Sequence, residues 1–298
     1  MLKGVPPSQV ERLSYIEARL FFLGELRRAD VAKRFSGASI QASRDLALYK
    51  ELAPENLVYD FQAKTYLPGE KFRLIFSRTP ERVLYWLKSG LGDGLPHPQG
   101  LSTETVESLS LPKLAELAVV TRAIYRQQVL EVTYVSLSSG KTERQIVPHA
   151  LVDNGQRWHV RAYDRANARF ADFVITRISK ATVLDGGDPA DHERAEADEQ
   201  WNHTVDLKLV PHPKLAHKSA IEADYGMRSG ALLVTCRAAV AGYALRRWGV
   251  DCSPGHNLSA AAFQLALANH EVLSSIDSSA LAPGWAASVE KRVGQSEE

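Results

Sequence analysis

The stretch from Gln156 to Asp164 constrains this chain more than any other. In Gln156-Arg157-Trp158-His159-Val160-Arg161-Ala162-Tyr163-Asp164, polar and apolar side chains alternate, the pattern of a β-strand with two unlike faces. Trp158, Val160 and Ala162 are expected to face a core, and Arg157, His159, Arg161 and Tyr163 to point the other way. Arg144, Arg169 and Arg177 lie close in sequence, so one small β-unit gathers several guanidinium groups, which is costly unless anions or hydrogen-bond acceptors meet them. Tyr134 and Ser136 share a face of the preceding strand. Together with Arg144, His159, Arg161, Tyr163, Arg169 and Arg177 they are the candidate lining of a polar pocket for phosphates or a nucleic-acid end. Charge counting leaves a second arrangement open, in which Glu131, Glu143, Asp164 and Asp172 neutralise the arginines on a solvated surface. Arg157 is expected on that surface.

The elements around this strand complete a unit. Pro112 opens a helix whose expected buried face is Leu114, Leu117, Ala118, Thr121 and Ile124 to Tyr125, and short strands follow at Val129 to Leu137, Thr142 to Leu151, Arg157 to Asp164 and Ala171 to Ile175. A helix followed by short antiparallel strands predicts a small Sm-like or SH3-like barrel over residues 112–184.

The front of the chain carries a different signal. Apolar residues at helical spacing run from Ser8 to Leu26, Asp30 can cap a second helix to Phe35, and Ser39 opens a third to about Glu51. In the third helix Ala42, Leu46 and Tyr49, joined by Ala38, form the inward stripe. The outward residues Ser39, Ile40, Gln41, Ser43 and Arg44 suit the edges of bases, with Arg44 for guanine, Gln41 for adenine and Ile40 for a thymine methyl. Lys33, Arg34, Lys50 and Lys64 are candidate phosphate contacts, and Asp45 reads as structural. Two β-prone runs, Leu57 to Asp60 and Lys64 to Leu67, form a wing, so residues 1–90 predict a winged helix-turn-helix, followed by a strand at Phe72 to Phe76 and a helix at Pro80 to Ser89.

Both regions resemble one family. Trp158-His159-Val160 stands where WYL domains carry Trp-Tyr-Leu, with Pro148, Ala162-Tyr163-Asp164, Phe170 and Phe173-Val174-Ile175-Thr176-Arg177-Ile178 in the family's order. Ser43-Arg44-Asp45-Leu46 and Pro54 to Asp60 are similar to the BrxR and CapW branch, which regulates phage-defence operons. The resemblance implies a transcriptional regulator, a regulatory ligand in the β-unit and a C-terminal module that supports oligomers.

The remaining features set the frame. At 298 residues the chain suits two or three modules, and its formal charge of +1 gives no global sign of nucleic-acid binding. Residues 1–90 hold 15 basic and 10 acidic side chains, however, so DNA contact is expected early. Ser89 to Pro98 opens a linker over 91–111, and the acidic, Gly- and Pro-bearing run 185–200 predicts a second. Residues 201–275 read as β-α-β-α, a small α/β dimerisation domain, and 276–298 as a tail of uncertain order. The fold class is α+β multidomain. Two cysteines, no metal-ligand spacing and no apolar span point to a cytoplasmic chain without cofactor or metal. The expectation is a dimeric, ligand-responsive repressor on double-stranded pseudo-palindromic DNA, with a nucleotide or nucleic-acid effector and no membrane partner. A nucleic-acid-processing enzyme and an RNA-binding adaptor stay as alternatives. Catalysis lacks support, because His149 and His159 come without a nucleophile motif or phosphate loop.

Overall fold

The computed structural model describes residues 5–36, 39–89 and 108–285. Ala38 and nearly all of the expected 91–111 linker lie outside these residues. The chain forms two compact units. One holds the chain up to Ala150 with Val160–Pro189, and the other holds Leu151–His159 with the chain from Ala190 on. The winged helix and the barrel region therefore share one unit.

In the first unit, α1 (Pro7–Ala18) starts with a proline at its first position, where a missing N–H costs nothing. It continues directly into a π-helical turn, Arg19–Leu23, closed by Gly24 at φ 78°. The sequence reads this as one uninterrupted helix. After α2 (Arg28–Arg34) and α3 (Ser39–Leu52), the wing pairs β1 (Leu57–Asp60) with β2 (Thr65–Pro68). The core of this part joins Leu13, Ile16 and Leu20 to Val31, Leu46, Tyr49 and Leu57. Phe72 to Phe76, expected as a strand, has no ladder. Three of its backbone donors go to side chains instead: Arg73 N–H to Asn56, and Ile75 and Phe76 N–H to Glu17. α4 (Pro80–Ser89) follows.

α5 (Leu114–Arg126) fastens the sheet-bearing part to the π-turn. Of its expected buried face, Tyr125 is left 45% exposed. The end of a helix leaves its last carbonyls without helical donors, and α5 supplies them. Thr121 Oγ1 donates to Phe22 O at 2.6 Å, Arg122 Nη1 to Phe21 O at 3.0 Å, and Arg126 Nη2 to Gly24 O. A Cβ at residue 24 would stand 2.9 Å from the Arg126 guanidinium carbon, so the contact needs glycine for space as well as for φ. The sheet contains β3 (Leu130–Ser136), β4 (Gly140–Asp153), β5 (Trp158–Asp164), β6 (Arg169–Val174) and β7 (Ile178–Val183) in the order β6-β5-β4-β3-β7, with β3 antiparallel to β4 and β7. β7 continues past the expected last strand. β5 departs from its reading too, since His159, Val160, Arg161, Ala162 and Asp164 are all buried. Both faces are covered, so alternation misled about exposure.

The second unit carries a four-stranded sheet in the order β10-β11-β8-β9, formed by β8 (Thr204–Pro211), β9 (Leu232–Arg237), β10 (Val250–Asp251) and β11 (Leu265–Leu267). Helices α6 (Glu199–Asn202), α7 (Lys218–Asp224) and α8 (Ala238–Arg247) accompany it. β8 alternates buried and exposed residues and pairs antiparallel with β9 and β11. The acidic run expected as a linker is ordered from Ala190 onward into short 3-10 turns. Glu193 and Asp198 are buried there because they accept backbone N–H groups of Ala190 and Trp201. The core reaches past 275 to Ile276, Ala282 and Trp285.

Candidate nucleic-acid interface and arginine-bearing sheet

α3 is held rigidly by two buried carboxylates. Asp45 is 0% exposed and accepts from Arg12 Nε at 2.6 Å, Gln9 Nε2 at 3.0 Å and Gln41 Nε2 at 3.1 Å. Glu17, also buried, accepts Ile75 N–H at 2.7 Å, Phe76 N–H at 3.1 Å and the Tyr49 hydroxyl at 3.3 Å. Asn56 Nδ2 donates to that hydroxyl at 3.0 Å, so α1, α3 and the chain after the wing share one network. Burial pushes the Glu17 carboxyl above its ordinary value, and the bonds from Ile75 and Phe76 pull it partly back.

This anchoring leaves the front of α3 open. Ser39, Ile40, Arg44 and Lys50 are exposed, Ile40 by 68%, and Gln41 and Ser43 are half-buried. Gln41 is turned toward Asp45, and Ser43 Oγ donates back to Ser39 O at 3.1 Å. Lys33 and Arg34 are exposed on the last turn of α2, and Lys64 is exposed in the wing turn at φ 52°. Two residues absent from the sequence reading belong here. Arg28 Nη1 reaches Ser43 Oγ at 3.4 Å, which places that cation beside α3, and Phe61 at the wing tip is 83% exposed. The Arg27-Arg28 pair was visible as charge ahead of Asp30, which is not the expected N-cap but lies inside α2, two residues after Arg28, and accepts Arg27 N–H at 2.8 Å. Phe61 gave no signal, since a lone Phe in a turn reads as packing.

The arginine-bearing sheet is arranged differently. Arg144 Nη1 meets Asp164 Oδ2 at 2.6 Å, an oxygen that also accepts Asn167 Nδ2 at 2.6 Å. Arg161 Nη1 meets Asp172 Oδ1 at 3.3 Å with only 5% of its side chain exposed. Tyr134 is buried, its ring edge-on to Phe173 and its oxygen accepting Val174 N–H at 3.3 Å. Ser136 Oγ is taken up by its own hairpin turn through Ser138 N–H. Tyr163 packs on Phe170, which in turn packs on His149. Arg169 is exposed and Arg177 half-buried. His159 falls in the other unit, its ring 5.3 Å from Tyr243. Two of the four candidate arginines thus already carry carboxylates, as in the second arrangement that charge counting had left open.

Comparison with known proteins bears on all three regions. Residues 8–89 match the BrxR transcriptional regulator winged helix-turn-helix domain, 115–183 the WYL domain, and 204–273 the BrxR transcriptional regulator C-terminal dimerization domain. The chain is 35% identical over 254 residues to the DNA-binding transcriptional repressor CapW of Pseudomonas aeruginosa, covering 82% of this chain and 83% of that protein. It belongs to the BrxR/CapW family of WYL-domain transcriptional regulators. CapW of Stenotrophomonas maltophilia is also 35% identical, over 82% of this chain and 84% of its own length, and CapW of Escherichia coli is 30% identical, over 90% and 92%. Membership assigns the chain to regulators rather than enzymes, and it gives the open front of α3 a family context.

Proposed function

We propose that this chain is a DNA-binding transcriptional repressor of a phage-defence operon, acting as a homodimer. One α3 from each copy enters successive major grooves of a pseudo-palindromic operator. The observation that carries this reading is the contrast along α3. Its inner side is fixed through buried Asp45 and Tyr49, while Ile40 and Arg44 project into solvent from its N-terminal half. Arg44 has the two donors that suit guanine, and exposed Lys33, Arg34, Lys50 and Lys64, with Arg28 beside Ser43, serve as its phosphate-contacting companions. Residues 204–273 support the dimer through their match to a dimerization domain.

The sheet carries the response in this proposal. A nucleotide or nucleic-acid fragment engages Arg169, Arg177 and Tyr163 and competes with Asp164 and Asp172 for Arg144 and Arg161, exchanging internal ion pairs for phosphate pairs. α5, bolted to the π-turn, moves with that sheet. A footprint on the promoter upstream of the chain's own gene tests the first half, with a symmetric protected site expected. Protection that is asymmetric or indifferent to sequence overturns it. Mono- and dinucleotides added to the same complex test the second, with release of the operator expected from at least one.

A further inference from the structure

The sheet of the C-terminal unit ends in two unlike strands. In the order β10-β11-β8-β9, one edge is β10, which has 2 residues, both buried, and the other is β9, which has 6. Along β9, Leu232, Val234 and Cys236 are half-buried against the core, while Leu233, Thr235 and Arg237 are exposed, Leu233 by 64%. An exposed edge strand is a template for another strand, and folded chains usually blunt it with a bulge, a proline or a lysine. β9 has an unbroken register with β8 from Leu232 to Arg237 and carries neither proline nor lysine. Its one charge is turned aside, because the Arg237 guanidinium lies 4.7 Å from the centre of the Trp201 ring and donates to Trp201 O.

The ladder bonds decide which backbone groups face outward. Ala238 N–H donates to His203 O at 2.9 Å, and this pair continues the β8–β9 register, so it is a hydrogen-bonded pair. Bonded pairs alternate along an antiparallel ladder, so Cys236 with Val205, Val234 with Leu207 and Leu232 with Leu209 bond across to β8. The other side of β8 has the complementary phase: Ala268 N–H meets Lys208 O at 2.8 Å and His212 N–H meets Gln264 O at 2.9 Å. The N–H and C=O of Leu233 and Thr235 therefore point out of the sheet, and among the described residues they meet no protein partner. Arg237 closes this run, its carbonyl standing at the N-cap of α8.

We propose that β9 pairs antiparallel with β9 of a second copy about a two-fold axis at Val234, joining the two C-terminal sheets into one. This rests on the homodimer reading above and says how the two copies meet. A second copy is the occupant because β9 lies within residues 204–273, which match a dimerization domain, and because the strand is self-complementary about that axis. Leu233 and the partner's Thr235 exchange both N–H···O bonds, and the two-fold repeats the exchange. Val234 meets the partner's Val234 at a non-bonded position, where side chains approach closest, so the half-buried apolar side of each strand is completed by the other. No like charges face each other across the pair.

Leu233→Pro in the full chain tests this. The Leu233 N–H points away from β8, so proline leaves the β8–β9 ladder whole and removes half of the proposed bonds between copies. Sedimentation should show dimer association weakened at least about thirtyfold, with the far-UV spectrum unchanged. Amide exchange of the wild type gives a second readout that does not depend on the variant's folding. Leu233 and Thr235 should slow at least about tenfold as concentration rises through the dimer transition, while Val234 and Cys236 stay protected throughout. A dimer that survives Leu233→Pro, or Leu233 and Thr235 amides indifferent to concentration, overturns the edge pairing and leaves the homodimer reading standing. A wild type that is monomeric at every concentration overturns both.

Discussion

The outer face of α3 and the arginine face of β5 looked alike in sequence, each a run of donors awaiting an anion, and the structure separates them. Arg44 projects into solvent from a helix whose inner side is clamped. Arg161 is 4% exposed and sits against Asp172. An open cation on a rigid support is ready for an external partner. A buried paired cation already contributes to the fold, and a ligand can use it only by displacing its carboxylate. The two faces therefore make opposite predictions about stability and binding.

The largest effect is expected at the closed face. Asp172→Ala takes the carboxylate from a buried guanidinium and should cost about 3–5 kcal/mol of unfolding free energy, measured in urea. A loss below about 1 kcal/mol, the range of exposed pairs, would show Arg161 solvated and return it to an open pocket. Next comes Glu17→Ala, which leaves two backbone donors and the Tyr49 hydroxyl unmet at a cost of about 2–3 kcal/mol. Because burial holds the folded Glu17 pKa above its unfolded value, this carboxyl adds stability below the unfolded pKa that is lost as pH rises through the folded one. Melting curves should therefore show wild type gaining on Glu17→Ala as pH falls through that window, and parallel curves would deny the shift.

These two sites also show what the sequence could tell. The helices and wing of the front region were legible because Ala42, Leu46 and Tyr49 repeat at helical spacing and short β-prone runs flank a turn. The partner of Arg161 was not, because Glu131, Glu143, Asp164 and Asp172 were equal candidates until the fold placed them. The alternation in β5 gave its two faces correctly as a strand but not their burial, which depends on what packs over the sheet. The π-turn at Arg19–Leu23 was invisible, since it differs from an α-helix in backbone bonding and not in residue type. The missing ladder at Phe72 to Phe76 has the same origin: Glu17, 58 residues away from Ile75, takes the donors.

The open face is tested by binding. Arg44→Ala should cost about 1–3 kcal/mol on the cognate site and little on random DNA, with unfolding unchanged. Equal losses on both sequences would make Arg44 a phosphate contact. Thr121→Val probes the support behind it, because it removes the hydroxyl that meets Phe22 O. About 1 kcal/mol of stability should go, and a variant as stable as wild type would mean that α5 is held by the arginines alone.

Gln41 tests the comparison most finely, because it lies on the open face yet behaves like a residue of the closed one. Its amide nitrogen is 3.1 Å from Asp45 Oδ1, an oxygen that Gln9 also reaches at 3.0 Å, while Arg12 Nε holds Oδ2 at 2.6 Å. Asp45 thus keeps its principal partners if Gln41 is lost, and the stability cost of Gln41→Ala should be a few tenths of a kcal/mol, as for a half-exposed helical pair. Reading adenine would require the side chain to leave this carboxylate, giving up one charge-assisted bond to form two at the base edge. Operator affinity measured for Gln41→Ala beside Arg44→Ala decides between these states. A small, sequence-independent loss keeps Gln41 with the internal network. A loss that vanishes when one adenine is replaced shows that it swings out, and that the boundary between the two kinds of face runs through a single side chain.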